Sequence, residues 1–259
     1  MPTSRKLKHW KEGRSAYELG RIWMEKGEPN VPDEIVHLLE SHDGTRGTVI
    51  RSGITEHETL LPFGNRGPRC HDLVLQAIHD TSVITICIEA KADEPFGGTV
   101  QQELLNARQR TSRTKFPDRL NWLTYSLLGI PAFIDEGYSA LAGPISNLPY
   151  QLLAATAGTL LEAKLQNAAK AILVVHEFRT ALTTDSKIAA NAEALDHFLG
   201  VLLESNGVPV SGFHLEPGKL FGPALIIQRD VAGQKQIPSH IPLFVGKVKT
   251  NRLASVKAG

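Results

Sequence analysis

Side chains that could hold a metal ion and activate water fall close together in one segment of the chain. Asp72 opens a β-rich run, and Glu89 and Lys91 close the next one. Two carboxylates can share a hard divalent cation, Mg²⁺ or Mn²⁺, which keeps bound waters for chemistry. A lysine beside such a water can orient it as a nucleophile or neutralise charge on a phosphorus centre. The three residues therefore predict hydrolysis of a phosphodiester bond.

The two runs, DLVLQAI and SVITICIEAK, predict an antiparallel hairpin because both are rich in β-strand formers and a short polar turn separates them. If the turn is centred between residues 80 and 81, Asp72 lies directly opposite Glu89. Side-chain alternation then places Lys91 on the face of Glu89, while the isoleucines and Ala90 face a core. The arrangement depends on the register, because a slip of one residue would move Asp72 to the other face.

The spacing of these residues resembles the PD-(D/E)xK nuclease signature: Asp72, sixteen residues, then Glu89-Ala90-Lys91. The chain departs from the signature at His71, which stands where the signature has proline. The stretches IEAKADEPFGGTV, YQLLAATAGTLLEA and AILVVHEF are in addition similar to uncharacterised bacterial proteins that are grouped with these nucleases by pattern. The resemblance implies Mg²⁺ or Mn²⁺ held by Asp72, Glu89 and the backbone carbonyl of Ala90, with Lys91 assisting the attacking water.

Further acidic and amide residues are weaker candidates. Glu56 lies in the strand region before the loop, where the superfamily often carries an extra acidic ligand, and Glu18 on the first helix is a similar candidate. A plain surface carboxylate is the alternative for both. Gln151 opens the long helix and could contact a substrate phosphate or the attacking water, although a helix-surface glutamine is the simpler interpretation.

Basic residues could contact nucleic acid in two places. Arg66 and Arg69 fall in a glycine-rich loop and could hold phosphates, and solvated loop arginines explain them equally well. A second basic stretch begins in the last turn of the helix predicted over residues 99–110, and it comprises Arg108, Arg110, Arg113, Lys115 and Arg119. On charge alone a solvated loop is the better interpretation of that stretch. If the chain is a nuclease, the stretch is the best candidate for contacts with the backbone of a nucleic acid, DNA by analogy.

Composition sets the broad class of the protein. Apolar residues make up 42% and charged residues 21%, which is typical of a globular chain, and no apolar run is long enough for a membrane span. The two cysteines, Cys70 and Cys87, indicate a reducing cytoplasm. With His71 and His79 they could bind zinc, but their spacing fits no compact zinc site. We expect one domain over residues 1–259, with flexible basic ends at about 1–12 and 247–259.

The pattern of predicted elements indicates an α/β fold: a mixed central sheet flanked by helices, restriction-endonuclease-like by the resemblance. Predicted helices cover residues 15–26, a segment opened by Pro32, and residues 99–110, 120–128, 147–167 and 191–203. Predicted strands, besides the hairpin, cover one or two segments in 47–61 and then 171–175, 224–228 and 243–248.

Three functions remain open at this point. The first is a nuclease, which by the resemblance could work as a homodimer. The second is a catalytically silent nuclease-fold module that binds nucleic acid or a protein partner. The third is an interaction protein whose acidic pair is an ordinary salt-bridge cluster at a sheet edge. No phosphate-binding loop, nucleophile elbow or dinucleotide fingerprint occurs, so kinases, serine hydrolases and dehydrogenases have no support.

Overall fold

A six-stranded mixed sheet organises the chain and confirms the predicted α/β class. The computed structural model describes residues 10–25, 27–63, 67–111, 113–135, 140–231, 233–234 and 236–253. Within those ranges no helix has both the length and the apolar character needed to cross a membrane.

The strands follow the order β1-β2-β3-β4-β6-β5 across the sheet. The inner strands β3, β4 and β6 are mutually parallel, whereas β1, β2 and β5 each run antiparallel to their neighbours. Their bounds are β1 Val49–Thr59, β2 Arg69–His79, β3 Ser82–Lys91, β4 Lys170–Arg179, β5 Leu220–Ala224 and β6 Leu243–Asn251.

Helices cover both faces of the sheet. They are α1 Ser15–Trp23, α2 Asp33–Glu40, α3 Val100–Arg110, α4 Phe116–Leu128, α5 Tyr150–Leu165 and α6 Asp185–Ser205, with a short 3-10 turn at Gly143–Ile145. The apolar residues of α1 and α2 pack with one face of the sheet, and those of α3 to α6 pack with the other. The sheet therefore separates two hydrophobic cores, as buried parallel strands require.

The two faces of strand β3 lie in different environments, which explains the alternation of isoleucines with other residues in its sequence. Ile84, Ile86 and Ile88 are fully buried in the core on the side of α1 and α2. Each such side chain contributes about 1.5–3 kcal/mol through burial, so these three residues fix the orientation of the strand. Thr85 points to the other face, where its hydroxyl donates to Gln166 just beyond α5 at 2.9 Å. The remaining side chains of that face, among them Glu89, accordingly lie under α5.

The predicted strand over residues 224–228 is wrong, because β5 ends at Ala224 and the following residues form no strand. Ile226 is nevertheless buried in the core, and the backbone N–H of Ile227 donates to the side chain of Asn206 at 2.9 Å. Ile226 is thus buried in irregular backbone, where a side chain takes over a hydrogen bond that a strand partner would make, while Leu225 and Ile227 are exposed.

The predicted flexible end at 247–259 is wrong for its first residues, which belong to strand β6, and residues 254–259 lie outside the described residues. Strand β6 continues to Asn251 because it pairs in parallel with β4 as far as Arg179. Lys247, which we expected at the start of a flexible tail, is instead buried and lies 3.9 Å from Glu177 of β4. Helix α6 begins six residues before its predicted start. The prediction missed these residues because they are mostly exposed and carry no apolar stripe.

Candidate functional site

The hairpin ladder ends where the predicted site begins. Strands β2 and β3 pair from His79 and Ser82 as far as Leu73 and Ile88, which confirms the predicted register. Beyond that point a carboxylate oxygen of Asp72 accepts the backbone N–H of Ala90 at 2.8 Å, in place of a ladder bond. Since the N–H and C=O of one strand residue point to the same edge, the carbonyl of Ala90 also faces this gap.

Side-chain alternation, which we assumed to be strict, breaks at Asp72. Leu73 belongs to the core on the side of α1 and α2. His71, two residues earlier, lies against Gly158 of α5 on the opposite side, since a Cβ on that glycine would be 2.7 Å from its Nε2. Residues two apart normally share a face of a strand, so β2 turns over at Asp72.

The neighbouring strand deforms at the same level. Pairing of β1 with β2 includes Thr55 with Leu73 and His57 with His71, and it skips the position between them, where Glu56 faces Asp72. Glu56 has a left-handed φ of +54°, which is unusual for a residue with a long side chain. It is exposed, and its charge is one cause that raises the pKa of Asp72. The structure therefore brings Glu56 close to the predicted site.

Gln151 connects two of the signature residues. Its Nε2 donates to a carboxylate oxygen of Glu89 at 2.9 Å, and its Oε1 accepts from Nζ of Lys91 at 3.1 Å. One amide in the first turn of α5 therefore fixes the carboxylate and the ammonium relative to each other. The structure places Gln151 inside the site, contrary to the simpler interpretation of a helix-surface residue.

Arg69 is the first residue of β2, whereas we expected it in the preceding loop. Its guanidinium forms an ion pair with Glu89, whose side chain is fully buried. Burial lowers the pKa of this arginine from its ordinary value. The arginine thus supplies the positive charge that the sequence analysis assigned to a metal ion.

His71 is fully buried beside the same carboxylate. Its Nδ1 lies 3.8 Å from Oε1 of Glu89, and no other described residue forms a hydrogen bond with either ring nitrogen. Burial lowers the pKa of His71 to about 3, with further contributions from Arg69 and His57. The ring is therefore neutral at pH 7 and keeps one nitrogen lone pair free. From the sequence we named His71 only as a zinc candidate and as a departure from the signature proline, and we did not connect the residue with Glu89.

Asp72 and Lys91 both have pKa values shifted away from the charged form. Burial raises the pKa of Asp72, against the opposing effects of the Ala90 N–H and of Lys91. Burial lowers the pKa of Lys91, and Asp72 is the largest opposing influence. Perturbed acids and bases that face each other in a partly closed site are typical of functional sites.

A cleft of about 340 Å³ opens next to these residues. Arg69 and Gln151 form part of its wall, so the cleft reaches the carboxylate of Glu89 through the two side chains that contact it. Its other lining residues are Leu61, Pro68, Cys70, Phe96, Gly97, Gly98, Glu103, Arg119, Tyr150 and Ala154. A substrate that entered the cleft would meet Arg69 before it met the acidic pair.

The described residues do not form a metal site from side chains alone. Among the residues that the structure describes, no group of three His, Cys, Asp or Glu side chains is placed to hold an ion. A metal site here would need the two carboxylates together with a backbone carbonyl, as the resemblance implies. The four residues of the zinc hypothesis are spread along the hairpin, and His79 contacts Lys170 at its far end.

The remaining predicted residues are dispersed. Four residues of the basic stretch are exposed and are called the basic strip below; they are Arg108, Arg110, Arg113 and Lys115. Arg119, which we counted with them, is instead buried and donates to the backbone carbonyls of Pro62 and Phe63 at 3.0 and 2.9 Å. Its hydrogen bonds hold the loop in place, so it is not available to a phosphate backbone.

Glu18 and Arg66 were also predicted as candidate site residues. Glu18 is buried in α1 and accepts the backbone N–H of Gly13 at 2.9 Å, so it has a structural partner of its own. Arg66 lies outside the residues that the structure describes.

Comparison with known proteins gives a family and no activity. The family described as "Domain of unknown function (DUF6946)" matches residues 3–252 of the chain. Neither the curated proteins nor the solved structures contain a significant match.

Proposed function

Since the chain belongs to DUF6946, a family described only as a domain of unknown function, we propose a function from the site itself. The proposal is metal-dependent hydrolysis of phosphodiester bonds, with DNA as the substrate. The observation that carries it is the break in the hairpin ladder, where the carboxylate of Asp72 meets the backbone of Ala90. A strand that lacks a backbone ladder hydrogen bond beside two carboxylates and a lysine is better suited to catalysis than to a purely structural role.

The donor set suits a divalent cation. Asp72, Glu89 and the carbonyl of Ala90 offer oxygen atoms, which Mg²⁺ and Mn²⁺ prefer. The raised pKa of Asp72 shows that burial leaves its charge poorly compensated. A bound cation would favour the ionised carboxylate, so the missing compensation is what an ion would provide.

Entry of a cation requires Arg69 to withdraw from Glu89. Arg69 already lines the cleft, so its guanidinium can move toward the space that a substrate would enter. A guanidinium there can bind two oxygens of a phosphate group at once. The same arginine would therefore neutralise Glu89 in the free protein and hold the substrate in the loaded one.

The chain's own residues then have separate tasks in hydrolysis. A bound cation would polarise a water molecule and offset the charge that develops on the phosphate. Lys91, with its lowered pKa, would orient that water and accept or return a proton at Nζ. Gln151 would keep Lys91 and Glu89 in position through its two hydrogen bonds.

A catalytically silent module is the second candidate, and the ion pair favours it. Arg69 neutralises Glu89 without any metal, and the described residues contain no group of three side-chain ligands. On this alternative the acidic pair is structural, and the basic strip binds nucleic acid without cleavage.

A cleavage assay separates the two candidates. The purified chain is incubated with linear, circular and single-stranded DNA and with RNA, each with Mg²⁺, Mn²⁺ or EDTA. We expect metal-dependent cleavage that Asp72→Ala and Lys91→Ala abolish. Lys170→Ala is the matched control, because this lysine is also partly buried on a strand but lies at the opposite end of the sheet beside His79. Binding of DNA without cleavage under any metal would establish the silent module instead.

A further inference from the structure

His71 is a buried polar side chain without a hydrogen-bond partner among the residues that the structure describes. Both of its ring nitrogens are shielded from solvent. Leaving such a group unpaired costs about 1–3 kcal/mol, so natural proteins rarely keep one without a reason. The carboxylate of Glu89 lies nearby, but the 3.8 Å from Nδ1 of His71 to Oε1 of Glu89 is too long for a hydrogen bond.

We infer that His71 supplies an imidazole nitrogen to the metal ion of this site, which selects a transition-metal ion such as Co²⁺ or Mn²⁺ over Mg²⁺. The inference rests on the proposed function, because it names the ion that the same site would take. It departs from the site that the signature implies, in which only oxygen atoms hold the metal.

The separation of the two atoms fits this role. Ligand atoms that each lie about 2.1 Å from a shared ion are about 3.0–3.4 Å apart at bond angles of 90–109°. The 3.8 Å between Nδ1 of His71 and Oε1 of Glu89 is only slightly longer, so a small movement would let both atoms bind one ion. The ion would take the place now filled by the guanidinium of Arg69, which contacts the same oxygen. Because the described residues form no group of three side-chain ligands while Arg69 is in place, His71, Asp72 and Glu89 would close on the ion only after the guanidinium withdraws.

The state of the ring also suits metal binding. A metal binds an imidazole through a nitrogen lone pair, and among the described residues nothing forms a hydrogen bond with either nitrogen of His71. Imidazole nitrogen favours transition metals, whereas Mg²⁺ prefers oxygen ligands and its own waters. The ring of His71 packs closely against Gly158, where an added Cβ would lie only 2.7 Å from Nε2. This close packing keeps Nδ1 directed at Glu89.

Metal titration tests the inference without relying on activity. Wild type and His71→Asn are titrated calorimetrically with CoCl₂, MnCl₂ and MgCl₂. We expect wild type to bind Co²⁺ more tightly than Mg²⁺, and His71→Asn to lose about 10- to 100-fold in Co²⁺ affinity. Its Mg²⁺ affinity should change much less. Equal loss for both ions, or no loss for either, would overturn the role of His71.

His176 provides the matched control. It is also fully buried, its pKa is also lowered to about 3 by burial, and its Nδ1 also has no hydrogen-bond partner. It lies on β4, where its Nε2 lies 2.8 Å from the hydroxyl of Thr250 and its ring stacks on Phe178. His176→Asn should leave both metal affinities unchanged.

Electron spin resonance of the Mn²⁺-loaded wild type serves if His71→Asn does not fold. A directly bound imidazole produces a ¹⁴N coupling to the metal, and its absence would overturn the inference while leaving the proposed function intact. Failure of wild type to bind any of the three ions would contradict the proposed function itself. The two failures are therefore distinguishable.

Discussion

The guanidinium of Arg69 contacts the carboxylate of Glu89 at the point where a metal ion would have to enter. The carboxylate is fully buried, and the side chain of Arg69 is only 13% exposed. A buried charge whose partner is removed becomes strongly destabilising, because water cannot replace the lost interaction. The ion pair therefore links the stability of the free protein to occupancy of the site.

Arg69→Met should expose this link. We expect the substitution to lower the free energy of unfolding by about 3–5 kcal/mol, since it leaves Glu89 buried without its cation. Mn²⁺ should restore much of the loss, because the ion no longer competes with the guanidinium and stabilises the folded state by mass action. Thermal unfolding with and without Mn²⁺ measures both effects.

Arg179→Met is the control for that experiment. Arg179 pairs with Asp185 at 2.7 Å, but both side chains are largely exposed. An exposed pair contributes about 0–1 kcal/mol, so this variant should remain close to wild type with or without metal. A response to Mn²⁺ no larger in Arg69→Met than in wild type would contradict competition at Glu89.

Asp72→Asn should show that the ionised carboxylate of Asp72 lowers the stability of the folded protein. Burial raises the pKa of Asp72 in the folded protein, so the folded state binds this proton more tightly than the unfolded state does. The resulting stability is present below the ordinary carboxyl pKa and is lost as the pH rises through the raised one. At pH 8 the ionised carboxylate is therefore unfavourable, and Asn removes it while still accepting the Ala90 N–H.

Urea unfolding without metal at pH 4 and pH 8 measures this effect. We expect Asp72→Asn to be more stable than wild type at pH 8 by on the order of 1 kcal/mol, a usual gain when a functional residue is replaced. The gain should shrink toward pH 4. A variant less stable than wild type at pH 8 would show that the charge of Asp72 is well compensated in the fold.

Gly158 and Gly200 form a matched pair of helical glycines. A Cβ on Gly158 would lie 2.7 Å from Nε2 of His71 and 3.1 Å from Cγ of Arg69, whereas nothing lies within 4 Å of a Cβ on Gly200. Gly200→Ala should stabilise α6 by up to about 1 kcal/mol through helix propensity. Gly158→Ala should instead cost about 1–3 kcal/mol through overpacking and displace both site residues.

The readout for this pair is thermal stability together with metal affinity. Gly158→Ala should lower both, because His71 and Arg69 move together. A stabilising Gly158→Ala with unchanged metal affinity would mean that the helix and β2 can separate without effect on the site.

The basic strip should control the salt dependence of nucleic-acid binding. Each phosphate contact that is removed makes the dependence of log affinity on log salt shallower by about 0.9 for duplex DNA. Arg110→Ser with Arg113→Ser should therefore reduce the slope by about 1–2 in a fluorescence titration. Arg46→Ser, an exposed arginine paired with Asp43 just beyond α2, should leave it unchanged. An identical slope in all three proteins would exclude the basic strip from the interface.

Local patterns of sequence were enough for the hairpin and most of the helices. The register of β2 and β3 follows from a short turn and from period-two alternation, and both are properties of neighbouring residues. The buried face of β3 could be predicted for the same reason, because its isoleucines recur at every second position. The signature residues could be found because they lie on these well-determined strands.

Long-range contacts could not be predicted in the same way. The hydrogen bonds of Gln151 join residues 60 and 62 positions apart, and no local pattern records them. Strict alternation would also separate His71 from the face of Glu89, because it does not account for the turnover of β2 at Asp72, where Glu56 on the neighbouring strand has an unusual backbone conformation. The zinc hypothesis therefore named His71 with Cys70, His79 and Cys87, and its proximity to Glu89 could not be predicted.

The interrupted ladder gives one backbone amide an unusual property. Amide protons in the middle of a sheet exchange with solvent only when the strands open. The proton of Ala90 is held instead by a side chain that can be protonated. Its hydrogen-exchange rate should therefore follow the ionisation of Asp72, so that a single resonance in an NMR spectrum reports on the charge of the site before any substrate is known.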